Sequence, residues 1–279
     1  MVGLGIKKLK IQSCSIRAFT RIDASFVVFA VLLLAAVGWV GIGAGRNEWQ
    51  SSVCARHLTT LGQAFLAYAH DHDGALPPAM YDDGHTSNTW DTVIAGYLLP
   101  STAPFSDKSS PLSADQEKQI AYLFQCPADH EPRWTGTPRS YSMPIYDINS
   151  AGWPPDVNSL GGLGLSLDRR TLRKARAAMP PELAKTIPSI TTSMVPAPDD
   201  TALLVECVSS INVLWQSPCA CIVSTENQFK ANTFKVKDFH GGKMNYLMLD
   251  GHVETMLPVQ SGGHLASGDQ GVWTIRPGD

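Results

Sequence analysis

The sequence lacks a G-x-S-x-G nucleophile elbow, an H-E-x-x-H zinc pair, a Walker loop and a dinucleotide fingerprint. The enzyme classes whose chemistry rests on those motifs are thereby excluded. There is no C-x-x-C pair either. The tightest spacing, Cys219-Ala-Cys221, supplies too few ligands for a structural zinc site and has no clear His partner. No internal repeat and no low-complexity tract occurs, so a solenoid or a linker-rich chain is excluded. The most informative absence is local: residues 24–45 contain no charge, and Ser25 is their only polar side chain.

Twenty-two such residues, wound as a helix at about 1.5 Å per residue, reach about 33 Å, the thickness of a bilayer's hydrocarbon core. A secretory signal's apolar core is shorter, about 7 to 15 residues. The charge divides at this segment. Residues 1–23 carry Lys7, Lys8, Lys10, Arg17 and Arg21 against Asp23, whereas the remainder holds 17 basic and 24 acidic residues. Positive flanks stay in the cytoplasm, so the N-terminus is expected inside and the acidic remainder exported. An acidic exported part argues against nucleic acid as a partner. Export permits disulfides among Cys54, Cys126, Cys207, Cys219 and Cys221, although five cannot all pair within one chain.

Beyond the apolar run, Cys54, Leu58, Leu61, Phe65 and Tyr68 recur at helical spacing and form one apolar stripe. The pattern predicts one helix from about Ile22 to His72, loosened near Gly41, Gly43 and Gly45 and stopped at Gly74 before Pro77-Pro78. A short helix is expected over 90–99, loops to about Gly161, and a basic, solvent-facing helix over 168–178. After Pro198 the pattern turns to β: Thr201 to Cys207, Cys221 to Thr225, and a hairpin over 243–257. Asp250-Gly251 suits a two-residue type I′ turn with positive φ at both positions.

His240 precedes the first hairpin strand and Asp250 follows it. Seven extended residues span about 23 Å, too far for the two side chains to share a proton. His240 is expected to fix the Gly241-Gly242 entry by hydrogen bonding. Asn245, Leu247 and Leu249 face one side of the sheet, and Met244, Tyr246 and Met248 the other. His57, His70, His72 and His85 stand with Asp71, Asp73, Asp82 and Asp83 near the helix end, where a solvated cap is the ordinary reading. No cofactor is expected; calcium is the ion such a carboxylate-rich loop would favour.

Arg17-Ala18-Phe19-Thr20-Arg21-Ile22-Asp23, followed by the apolar run, resembles the prepilin signal of type IV pilins and type II secretion pseudopilins. Three further stretches are 54–74, Phe124-Gln-Cys-Pro-Ala-Asp129, and 239–254, where His240 is followed by nine residues and then Asp250-Gly251. They resemble a branch of prepilin-like proteins, abundant in planctomycetes, that carry this C-terminal His, nine residues, Asp-Gly motif. Two departures stand out: Ala18 replaces the family's glycine before the cleaved bond, and Asp23 its usual glutamate. Arg21 also stands where leucine is usual.

The resemblance implies an α+β, type IV pilin-like fold, a long N-terminal transmembrane helix packed on an antiparallel β-sheet domain. It divides the chain into a leader (1–18), the long helix (19–74, membrane part about 24–45) and an exported domain (75–279). It implies cleavage between Ala18 and Phe19 by a prepilin peptidase, N-methylation of Phe19, and other pilin-like subunits as partners at the inner membrane. Asp23 then pairs with a neighbouring subunit's freed α-amine or, alternatively, with Arg21. A Cys54–Cys126 disulfide is expected to tie the helix to the Cys-Pro-Ala-Asp loop, with Cys207 left to join Cys219 or Cys221. The function implied is a non-catalytic, pseudopilin-like component of a type II secretion or type IV pilus-related assembly. The alternatives are a monomeric membrane-tethered binding module and, third, an exported enzyme using His240 and Asp250.

Overall fold

The computed structural model describes residues 21–98, 114–149, 151–156, 161–215, 222–223, 239–262 and 271–276. Contacts divide the chain into two units, Met1–Gly45 and Arg46–Asp279. Helix α1 (Arg21–Asp71) contributes to both and stays helical through Gly41, Gly43 and Gly45, without the loosening expected there. In the first unit its described large apolar side chains are exposed, among them Ile22, Phe26, Leu34, Trp39 and Ile42. An 18-residue window of mean hydropathy 2.5 has none of its surface buried, so α1 is long and apolar enough to cross a membrane.

In the second unit the spacing of Cys54, Leu58, Leu61 and Phe65 brings all four to zero exposure. The helix ends through its own backbone: Gly74 N–H donates to the Ala69 carbonyl at 2.8 Å, with Asp73 at φ 54 and Gly74 at φ 82. That is a Schellman-type stop, in which an aspartate takes the left-handed position.

The other elements are β1 (Met80–Asp82), β2 (Ser87–Thr89), α2 (Trp90–Leu98), α3 (Ala114–Phe124), β3 (Tyr141–Tyr146), β4 (Gly164–Leu167), α4 (Arg169–Ala177), β5 (Ala202–Glu206), β6 (Ile222–Val223), β7 (Met244–Met248) and β8 (Val253–Met256). The class is α+β, but the sheet is mixed where an antiparallel one was expected. Its order is β2-β1-β4-β3-β5-β7-β8, and β6 pairs with β3. The β1–β4, β3–β4 and β3–β6 pairs are parallel. The stretch read as loops to Gly161 therefore contains α3 and the central strand β3. Of the expected strand over 221–225, Ile222 and Val223 are described.

α1 lies directly on β7. A Cβ on Gly62 would come within 2.9 Å of Leu247 Cδ1, so the absent side chain lets helix and sheet approach. Leu247 and Leu249 belong to the core shared with α1, while Met244, Tyr246 and Met248 pack with Val205, Cys207 and Trp273 on the opposite face. All five β7 residues are buried because Val272 and Trp273 cover that second face.

The β7–β8 connection differs from a type I′ turn. Gly251 N–H donates to the Met248 carbonyl at 3.0 Å and Met248 N–H to the His252 carbonyl at 2.9 Å. Gly251 has φ 96, whereas Asp250 is not among the residues with positive φ. This is a three-residue loop in which one left-handed glycine follows a turn, a form that needs only one such residue.

Candidate functional site

The face of the sheet that receives α1 also gathers polar groups. Cys54 projects from the buried stripe of α1 and Cys126 follows α3. They form a disulfide that joins residues 72 apart in sequence, with Cα atoms 5.2 Å apart. Alternation along β5 sends Leu204 and Glu206 toward this face and Val205 and Cys207 to the other. His240 opens a single turn ahead of β7 at φ 42, a conformation uncommon outside glycine. Its ring Nε2 lies 3.0 Å from Glu206 Oε1 and 3.3 Å from Cys126 Sγ. The His240 and Glu206 side chains have no exposed surface.

Glu206 is held firmly. The Asn245 backbone N–H donates to Oε2 at 2.8 Å, and the Asn245 side-chain amide to Oε1 at 3.2 Å. Asn245 is itself fixed by α1: its amide donates to the Ser51 carbonyl at 3.3 Å and its oxygen accepts from the Ser51 hydroxyl at 3.2 Å. Thr255 Oγ1 donates to the same oxygen at 2.6 Å, its second hydrogen bond. A proton on His240 Nε2 makes the ring a donor to the carboxylate. Nδ1 is then buried with no partner among the described residues. One ligand-type atom from each of Cys54, Cys126, Glu206 and His240 lies within 4.8 Å of all the others.

A second buried network shapes the Cys126 loop. Ser140 Oγ accepts the Cys126 backbone N–H at 2.9 Å and donates to Asp129 Oδ2 at 2.6 Å. Asp129 also pairs with Arg133, whose Nη2 donates to the Arg139 carbonyl at 3.0 Å. Arg139, almost wholly buried, bonds Asp91 Oδ1 at 2.6 Å and Asn212 Oδ1 at 2.8 Å, and lies 5.5 Å from the Trp90 ring centre. Burial, with the nearby carboxylates of Glu206 and Asp129, pushes the Tyr141 hydroxyl well above its ordinary pKa.

Of the residues expected from sequence to matter, Ala18 and Phe19 lie outside the described residues. Asp23 is in α1, with its side chain outside them. His240 and Asp250 are not partners. Asp250 sits on the exposed turn and accepts from the His252 backbone at 3.0 Å and pairs with its ring at 2.7 Å. Burial raises the Asp250 pKa, but the two His252 hydrogen bonds and the His252 charge outweigh it and leave the carboxyl lowered. The His240 ring reaches across to β5 and the disulfide, and the Gly241-Gly242 entry is closed by the backbone, with Gly242 N–H donating to the Phe239 carbonyl at 2.6 Å. Cys207 is a free, buried thiol, and burial pushes it up to about 12; Cys219 and Cys221, its expected partners, lie outside the described residues.

The acidic and histidine-rich group near the helix end is dispersed. His57 is buried against the Gln125 carbonyl at 3.1 Å, and its desolvation lowers its pKa despite that bond. His72 stacks on Tyr68 and bonds its carbonyl at 2.8 Å. Asp83 is occupied by the Thr86 and His85 backbone N–H groups and the Tyr81 hydroxyl, which hold it far below the usual carboxylate range.

Glu206 and Asn245 were not among the expected site residues. The available signal was a lone carboxylate at the end of an otherwise apolar strand, Ala202-Leu-Leu-Val-Glu206. Such a group is buried only with partners. No family model, curated protein or solved structure matches the chain.

Proposed function

We propose that the chain is a pseudopilin-like structural component of a type II secretion or type IV pilus-related envelope assembly, held in the inner membrane by α1 with residues 75–279 outside the cytoplasm. The observation that supports this reading is the division of labour along one helix. Its first part has the length and exposed apolar surface of a membrane span, while Cys54, Leu58, Leu61 and Phe65 further along are wholly buried. A helix built this way anchors a domain and leaves its own span free for lateral contact with similar spans.

Asp23 then serves a neighbouring subunit's freed amine, because a carboxylate in lipid is costly without a cation. Intact-mass measurement of the purified membrane form tests the reading. The expected mass lacks residues 1–18 and carries one added methyl group on Phe19. Crosslinking in membranes should recover other pilin-like subunits with the chain. A mature protein that retains Met1 to Ala18 and crosslinks to no such subunit overturns the proposal.

A further inference from the structure

From the buried Cys54–Cys126, Glu206 and His240 cluster, we infer that the reduced form of this site binds one thiophilic divalent cation of the Zn²⁺ type, and that ion and disulfide are mutually exclusive occupants. A disulfide needs no polar neighbours; apolar packing satisfies it. Yet a buried carboxylate and a buried imidazole converge on this one, and each carries an energetic burden. Glu206 is desolvated, and His240 adopts a positive φ. Both burdens serve a purpose if the four side chains are a ligand set.

The donor set is two sulfurs, one imidazole nitrogen and one carboxylate oxygen, which is within the ordinary range for tetrahedral zinc. Bond lengths of about 2.0 to 2.3 Å place tetrahedral ligand atoms roughly 3.3 to 3.8 Å apart. The 3.3 Å contact from His240 Nε2 to Cys126 Sγ and the common limit of 4.8 Å already bracket that spacing. The two sulfurs, bonded to each other, must separate, and the 3.0 Å contact from His240 Nε2 to Glu206 Oε1 must widen slightly. Asn245 supplies the outer support, since it orients Glu206 from both its backbone and its side chain.

Charge does not oppose the exchange. With the imidazole counted neutral in both forms, the oxidised site carries one net negative charge from Glu206. Two thiolates, Glu206 and a divalent cation also sum to minus one, so the core meets no new net charge.

The chemistry balances. A dithiol reductant transfers two electrons and two protons. The Cys54–Cys126 bond breaks, two thiols form, and the reductant closes its own disulfide. The cation then displaces the two thiol protons to solvent and forms two sulfur–metal bonds, while the His240 ring proton moves from Nε2 to Nδ1 so that Nε2 and a Glu206 oxygen complete the four bonds. Because all four side chains are buried, loading occurs before the core closes or during its opening.

The test uses the full-length chain in detergent, with Cys14, Cys219 and Cys221 replaced by serine. After reduction with a dithiol and anaerobic desalting, Co²⁺ is titrated as the probe. The expected result is one Co²⁺ per chain with the absorption of a tetrahedral, sulfur-ligated ion, its displacement by Zn²⁺, and no such spectrum from the oxidised chain. Glu206→Gln and His240→Ala should each weaken Co²⁺ binding at least about tenfold, and Cys126→Ser should abolish the sulfur-to-metal absorption. Circular dichroism accompanies each titration, so that a reduced chain that refolds only on adding metal also counts in favour. A reduced chain that binds no stoichiometric Co²⁺, folded or not, overturns the inference. So does an unchanged spectrum and affinity in both Glu206→Gln and His240→Ala.

Discussion

Replacing Arg139 with methionine removes a cation from a buried Arg–Asp ion pair. Asp91 would keep its backbone contact from Trp215 at 2.8 Å but lose the guanidinium at 2.6 Å, inside a core where neither side chain has more than 1% exposure. Breaking one partner of such a pair costs about 3 to 5 kcal/mol, because the other charge is left desolvated and uncompensated. Loss of the bond to Asn212 adds about 1 kcal/mol. The methionine recovers some packing against Trp90, so about 4 kcal/mol is expected in all.

At a urea dependence of about 2 kcal/mol per molar, Arg139→Met lowers the unfolding midpoint of the full-length chain in detergent by about 2 M, read by near-ultraviolet circular dichroism. Asp91→Asn alone leaves the guanidinium buried and costs a similar amount. The double variant Asp91→Asn/Arg139→Met should fall short of the sum of the singles by at least about 2 kcal/mol. Additivity within about 0.5 kcal/mol would refute the claim that the two charges answer each other.

Gly251→Val should destabilise by about 1 kcal/mol or more, because φ 96 excludes a β-branched residue; an unchanged thermal midpoint would contradict the turn assignment. Cys207 gives a pH dependence. The folded thiol keeps its proton to about 12, against an ordinary value of 9.0. Its contribution is therefore full below pH 9 and falls by up to about 4 kcal/mol as pH rises toward 12. Urea midpoints across that range should decline, and Cys207→Ala should flatten the decline; equal slopes in both proteins would be evidence against it.

The legible parts of the fold were those set by local pattern. The stripe on α1, the compact α2, and α4 with Asp168 accepting from Thr171 N–H as its cap, all follow from residues within one or two turns. α3 was missed because Ile120 and Phe124 are its only buried residues, too narrow a stripe to stand out from a polar run. β3 was hidden by Pro144, which has no N–H for a ladder. The parallel pairs depend on which distant segments meet, and no local period encodes that. At the site, the disulfide partners were legible as two cysteines in matched stretches. Glu206 and His240 meet only because β5 and β7 are neighbours in the sheet.

The order of the strands bears on how such chains could meet one another. The described sheet ends in β2, three residues containing Ser87 and Asn88, and in β8, which presents the exposed Glu254 and Thr255 to solvent. Short, polar margins of this kind discourage the addition of a foreign strand. Stacking by shared backbone ladders, as in fibrils, is thus disfavoured at both described margins, and under the proposed function the surface left for side-by-side association is the exposed apolar stem of α1.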